Sequence, residues 1–306
     1  MHPLIWIPVV VVGAAFQTAR NALQRTLVGD AGPWGATLVR FLFGLPFALV
    51  WLGAAYLVWG PAPEALRTAP FALFAGAGAL AQILATAALL LAMRQSNFAV
   101  GAFFQQVALP ITAAVGFLFG DALSALAVAG VAVTTVGLLV MSWPQAGADG
   151  VRDWSAARYG LMAGAAFGLS GNCFREAAHA VSTLNPAFAA AATLVMVQAL
   201  QTAGLTAFLL LTDRRALRAA VSAWRVSLGA GFCGWAASAC TFTALAMAPA
   251  ALVRVVAVVD MPFAALAGRT AFRERLTARQ IAGAALIGAG VVACALGALS
   301  LSPPAR

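Results

Sequence analysis

Gly13-Ala14-Ala15-Phe16-Gln17-Thr18-Ala19-Arg20-Asn21 returns about 150 residues later as Gly164-Ala165-Ala166-Phe167-Gly168-Leu169-Ser170-Gly171-Asn172. Further matches follow in the same chain order at nearly the same offset. Pro33 is matched by Pro186, Leu91-Ala92-Met93 by Leu245-Ala246-Met247, and Pro110 by Pro262. Phe119-x-Asp121-x-Leu123-Ser124-Ala125, with Gly130 and Gly137, is matched by Phe272-x-Glu274-x-Leu276-Thr277-Ala278, with Gly283 and Gly290. Any one match is cheap in a chain so rich in Ala and Gly, but the ordered set indicates an internal duplication. It divides the chain into 1–145 and 146–306, joined through the polar stretch Trp143–Arg158.

The repeated motifs sit in apolar runs. Of the 306 residues, 63% are hydrophobic and 9% charged, and the mean hydropathy is +0.93. Soluble domains carry about 25% charged residues, so lipid must be the solvent for much of this chain. Ten apolar segments are expected, near Leu4–Val28, Pro33–Val58, Pro70–Met93, Asn97–Phe119, Ala122–Ser142, Ser155–Ala178, Pro186–Leu211, Val221–Met247, Pro249–Ala271 and Thr277–Leu299. Each suits a crossing of about 20 residues. Strands are excluded because the runs are too long and lack alternation, and lipid admits only helices or closed barrels. The expected fold is an all-α polytopic membrane protein of ten transmembrane helices in two five-helix repeats. Five crossings per half turn the second repeat upside down relative to the first, an architecture common among secondary transporters.

Helix starts are marked locally. Asn185-Pro186 reads as an N-cap followed by proline at the first helical position, and Pro33, Pro70 and Pro249 suit the same first-turn role. Thr277 with Gln280 reads as a capping box. Asp121 and Glu274 are read as carboxylates complementing helix N-termini. The start of the chain lacks a basic n-region and a cleavage motif, and reads as a first retained helix.

The formal charge is +9, and every basic residue is Arg. The arginines gather at the ends of apolar runs instead of forming an aromatic-rich basic surface, so nucleic acid is not an expected partner. Most of them fall on the side of the first-to-second, third-to-fourth, fifth-to-sixth, seventh-to-eighth and ninth-to-tenth connections. The positive-inside rule then puts both termini outside the cytoplasm. The four cysteines, Cys173, Cys233, Cys240 and Cys294, lie inside apolar runs without metal-ligand spacing and read as packing residues.

Polar groups inside the runs are the candidates for function, because they are costly in lipid. Gln17, Arg20, Asn21 and Gln24 share one face of the first helix. Arg40, Gln82 and Gln105 extend the set in the first half, and Asn172 and Gln198 in the second. Together, Gln17, Arg20, Asn21, Arg40, Gln82, Gln105, Asn172 and Gln198 are the candidate substrate-binding residues. Helix-to-helix hydrogen bonding and snorkelling of arginine are the competing readings. Glu176 and Asp260 are the intramembrane acids available for coupling to protons. Intramembrane Arg exceeds Asp and Glu, which favours a carboxylate or other anionic group over an organic cation. Pro46, Pro110 and Pro262 lie within apolar runs and are expected to kink them, Pro110 and Pro262 as a symmetric pair of gating kinks. Gly160, Gly164 and Gly168 read as a close-packing seam. No catalytic motif is found, so an enzyme, a cofactor and a metal are not expected. A membrane-embedded lipid enzyme would need a clustered acid–base or metal constellation.

Phe272-Arg273-Glu274-Arg275-Leu276-Thr277-Ala278-Arg279-Gln280, followed by Gly283 through Val291, resembles the signature of the drug/metabolite transporter superfamily in its ten-helix EamA-type form. Asp121 to Gly137 is similar to a degenerate first copy with Asp for Glu. Within the superfamily the chain most resembles the YddG-type amino-acid exporters. The resemblance implies a cavity between the repeats and both termini in the cytoplasm, against the arginine count. The first helix lacks the embedded Glu of the small multidrug-resistance proteins. The combined expectation is a monomeric, multi-pass transporter of a bacterial inner membrane, with the lipid bilayer and a small-molecule substrate as partners. It would export amino acids or related metabolites by alternating access. A sugar, phosphate-ester or drug carrier is the alternative.

Overall fold

The computed structural model describes residues 4–59, 66, 68–95, 106–142, 154–183, 185–259 and 277–301. Side chains within these helices are described except at 21–22, 24–30, 33, 90, 92–95, 142, 154–157 and 301. The described residues form helices and their connections, with no strand among them. In chain order these are α1 (Trp6–Leu42), α2 (Leu45–Trp59), α3 (Ala69–Gln95), α4 (Ala108–Leu118), α5 (Ala125–Ser142), α6 (Trp154–Val181), α7 (Pro186–Thr212), α8 (Arg214–Ser222), α9 (Trp224–Met247), α10 (Ala250–Ala257) and α11 (Ala278–Leu301). Among the described residues, five helical stretches are long and apolar enough to cross a membrane: Trp34–Trp59, Ala69–Leu89, Pro186–Thr212, Trp224–Met247 and Ala278–Ser300. Large apolar side chains such as Leu57, Leu118 and Leu211 face outward, as they do where lipid replaces water. The chain is thus an all-α protein with the pattern of a multi-pass membrane protein.

Two compact units can be separated. Unit A comprises Val9–Leu80 with Cys173–Met247, and unit B comprises Met1–Pro8, Ala81–Asn172 and Ala248–Arg306. Each draws on both halves of the sequence.

In unit B, α5 lies against α11 through glycines that let backbone meet backbone. A Cβ on Gly130 would stand 2.7 Å from the Gly290 carbonyl oxygen, and one on Gly137 would stand 2.9 Å from that of Gly283. The motif glycines therefore meet crosswise, the first of one helix against the second of the other. Ser124 Oγ donates to the Gly297 carbonyl at 2.9 Å and accepts from Ala127 N, capping α5. Gly168 brings α6 onto α4, its Cβ position 3.0 Å from Ala108 O. α4 closes where Gly120 adopts a φ of 87° and Asp121 N donates to Gly116 O at 2.9 Å. A left-handed residue at that place is what glycine permits cheaply.

In unit A, α9 packs against α7 and α2, and Phe174 of α6 stacks on Phe242 with centroids 4.7 Å apart. Gly231 seats α9 on the α1–α2 junction, its Cβ position 2.5 Å from Phe43 Cβ.

Several local expectations change. The break expected at residues 29–32 narrows to one residue: α1 is two helices joined across a kink at Gly32, and the stretch Trp34–Trp59 that follows is interrupted by a turn at Phe43-Gly44. Pro46 stands in the first turn of α2 and Pro110 in the first turn of α4, where a missing N–H leaves no intrahelical bond unmade; Pro262 lies outside the described residues. Pro186 takes the first helical position, but the Asn185 side chain makes no cap bond, and Pro249 is itself the N-cap residue of α10. The capping box forms: Thr277 N donates to Gln280 Oε1 at 2.9 Å, and Gln280 N donates to Thr277 Oγ1 at 3.2 Å. The eighth expected segment, Val221–Met247, corresponds to α9, and the charged stretch before it forms a separate short helix, α8, whose N-cap Asp213 accepts from Arg215 N and Ala216 N.

Candidate functional site

Polar atoms without a protein partner gather on three helices of unit A. On α7, Gln198, Gln201 and Thr202 follow i, i+3, i+4 spacing and share a face, Gln201 contributing its Oε1 alone. Gln198 is 1% exposed, and neither its Oε1 nor its Nε2 has a hydrogen-bond partner. Thr202 Oγ1, Trp235 Nε1 on α9 and Arg40 Nε on α1 are likewise buried and unbonded. A buried amide left unsatisfied costs about 1–3 kcal/mol, so such groups mark places where something other than packing is at stake.

Glycines bring these groups together. The Gln198 amide nitrogen lies 3.0 Å from where a Cβ on Gly44 would stand, and the Gly231 carbonyl oxygen is 3.2 Å from the same point. One turn along α9, a Cβ on Gly234 would be 3.2 Å from Arg40 Cγ and 3.3 Å from Arg20 Cδ. Two arginine stems thus cross one bare patch of backbone. Arg20 is buried, and Arg40 is partly buried with its guanidinium carbon 4.8 Å from the Phe41 ring centre. Bringing two like charges together in a lipid-facing helical unit is unfavourable unless an anion or fixed dipoles offset it.

An apolar groove of about 390 Å³ adjoins this polar nest in unit A, lined by Val9, Phe16, Trp51, Phe232, Trp235 and Thr243 among others. Phe16 precedes Arg20 by one helical turn, and Trp235 follows Gly234 directly, so groove and nest share two walls. Phe47, Phe232 and Trp235 pack ring on ring around it, with centroids 5.3 to 5.9 Å apart. The arrangement offers guanidinium and amide donors at one end and aromatic surface at the other.

The remaining candidates fall elsewhere. Gln17 is partly buried on α1 and has a partner of its own. Asn21 lies in α1, but its side chain is outside the described set, and Gln105 and Asp260 are outside the described residues. Gln82 belongs to unit B, where its backbone carbonyl accepts from Thr86 Oγ1 at 2.9 Å. Asn172, also in unit B, is committed to structure: Nδ2 donates to Thr112 O at 3.0 Å and to Gly168 O at 3.1 Å. Its Oδ1 and Asp121 Oδ2 close over Gly116, 3.3 and 3.0 Å from that residue's Cβ position. Glu176 pairs with its neighbour Arg175 at 3.2 Å.

Sequence reasoning did not single out Gly44, Gly234, Thr202 or Trp235. The four cysteines are free. Among the described residues no group of His, Cys, Asp and Glu could hold a metal ion.

No family model and no curated protein matches this sequence. Solved structures do match, 27 chains in all. One, a crystal structure described only as that of a protein, is similar over 97% of this chain and 99% of its own, with a TM-score of 0.72 and 18% identity. The likeness establishes a shared fold.

Proposed function

We propose that this chain is a transporter, not an enzyme, of small metabolites bearing a carboxylate, amino acids foremost. It has ten spans in two inverted repeats, 1–145 and 146–306, and works by alternating access in a bacterial inner membrane. The observation that carries the reading is the buried nest of Arg40, Gln198 and Arg20 beside an aromatic groove. Guanidinium and amide donors in a water-poor setting bind a carboxylate through charge-assisted hydrogen bonds. The groove accepts the apolar remainder. The crosswise contact of Gly130 with Gly290 and of Gly137 with Gly283 favours the duplication, since repeat-related helices meeting about a two-fold axis exchange equivalent residues in this way. Glu176 and Asp260 are the acids proposed for proton coupling.

A phosphate-ester carrier is the second reading. The convergence of two arginines on Gly234 favours it, because paired guanidiniums match a phosphate dianion.

Liposomes containing the purified protein test both readings with labelled amino acids, sugars and phosphate esters, with and without a pH gradient. Saturable amino-acid flux is expected, falling at least tenfold in R40Q while the protein stays folded. Flux of phosphate esters alone would replace the first reading by the second, and no flux of any anion would end both. Flux indifferent to the gradient would remove Glu176 and Asp260 as coupling groups.

A further inference from the structure

We propose that α8 and the start of α9 form a binding surface for anionic phospholipid headgroups. α8 joins two helices, Pro186–Thr212 and Trp224–Met247, that are each long and apolar enough to cross a membrane. A nine-residue helix with such neighbours sits where both leave the hydrocarbon, at headgroup level.

Its faces are sharply divided. Ala216 and Ala220 are buried, whereas Arg214, Arg215 and Arg218 are exposed. Arg225 is exposed as well, its guanidinium carbon 5.5 Å from the ring of the exposed Trp224. Tryptophan stacked with a cation is at home in the interfacial layer.

Local structure uses up some of this charge and leaves the rest. Arg214 Nε donates to the Leu210 carbonyl at 2.9 Å and so closes the end of α7. Asp213 is the sole acid between Glu176 and Asp260. Its Oδ1 accepts from Arg215 N at 3.1 Å and Ala216 N at 3.0 Å, capping α8. Arg215, Arg218 and Arg225 remain as exposed guanidiniums, forks that match a phosphate diester.

The surface is anchored to the helix that carries Arg40. The Ala216 carbonyl oxygen is 3.1 Å from where a Cβ on Gly35 would stand. Ala220 packs in one cluster with Ala31, Ala36, Val39 and Ala230. Headgroups held by α8 therefore stabilise its seat on α1, just past the break at Gly32. This inference does not depend on the transport reading.

The test is thermal unfolding of the full chain in detergent, titrated with phosphatidylglycerol, phosphatidylcholine or inorganic phosphate. Phosphatidylglycerol is expected to raise the midpoint, and phosphatidylcholine and phosphate to leave it in place. Apparent phosphatidylglycerol affinity should fall about fivefold for each arginine lost in R215Q, R218Q and R225Q. The corresponding lysine variants should keep most of the response. An equal rise with phosphatidylcholine or with phosphate overturns the proposal, as does a triple glutamine variant that responds like the unaltered protein. Should that variant not fold, salt decides on the unaltered chain: a response undiminished at high ionic strength overturns it.

Discussion

The side-chain amide of Gln198 rests against the backbone of Gly44, its nitrogen 3.0 Å from the place a Cβ would take. The same point is 2.6 Å from Arg40 O and 3.2 Å from Gly231 O. Two of these neighbours are backbone and cannot swing aside. Gly44→Ala should therefore lower stability by about 1–3 kcal/mol through overpacking and displace the Gln198 amide. Gly53→Ala on α2 is the control, since nothing lies within 4 Å of its Cβ position. It should be neutral or stabilising by up to about 1 kcal/mol. Thermal midpoints of the two variants in one detergent check the contrast.

Gln198→Leu separates stability from function. Leu has nearly the same bulk and removes an amide whose two polar atoms are buried without partners. Loss of that penalty should raise stability by about 1–3 kcal/mol, while flux in liposomes falls at least tenfold. A variant that is less stable and still fully active would show that Gln198 serves packing and not binding.

Asn172→Ala should behave in the opposite way. Its Nδ2 joins α6 to the Thr112 carbonyl of α4, and the bond is buried. Removal loses this buried helix-to-helix hydrogen bond and should cost about 0.5–1.5 kcal/mol. Flux per folded molecule should stay within about twofold, an effect below 0.5 kcal/mol on the 1.36 kcal/mol per decade scale. A tenfold loss of flux at unchanged stability would return Asn172 to the substrate-binding set.

Gly130→Ala and Gly290→Ala press on one contact, because each Cβ position lies 2.7 Å from the other residue's carbonyl oxygen. Each should destabilise by about 1–3 kcal/mol. Once α5 and α11 have parted for one methyl, the second costs less, so the double variant should fall short of the sum by at least about 0.5 kcal/mol. Additive losses would mean that the helices do not move as a pair.

The apolar runs and caps were legible because their signals are local. A run of some 20 apolar residues reads as a helix wherever it sits, and Thr277 with Gln280 needs only its own turn to form a capping box. The break at residues 29–32 was legible for the same reason, because Gly32 and Pro33 mark it locally, and a single glycine at φ 63° parts the two helices there. α8 was missed because Arg214-Arg215-Ala216-Leu217-Arg218 reads as a charged connector until its alanines find a surface to bury against.

By itself, the sequence determined that the chain is helical and suited to lipid, that its motifs recur in order, and that Arg20, Arg40 and Gln198 are polar groups where polarity is costly. Hydropathy and turn chemistry act over a few residues, so no partner is needed to read them. Tertiary structure alone decided which of those groups meet. Arg20, Arg40 and Gln198 come from two helices far apart in the chain, and they converge because Gly44, Gly231 and Gly234 have no side chain to hold them away. Asn172 looked no different from Gln198 in the sequence, but its amide is taken up by carbonyls of Thr112 and Gly168. Whether a buried polar group is bonded depends on the helix packed across from it, which the order of residues along one helix does not specify.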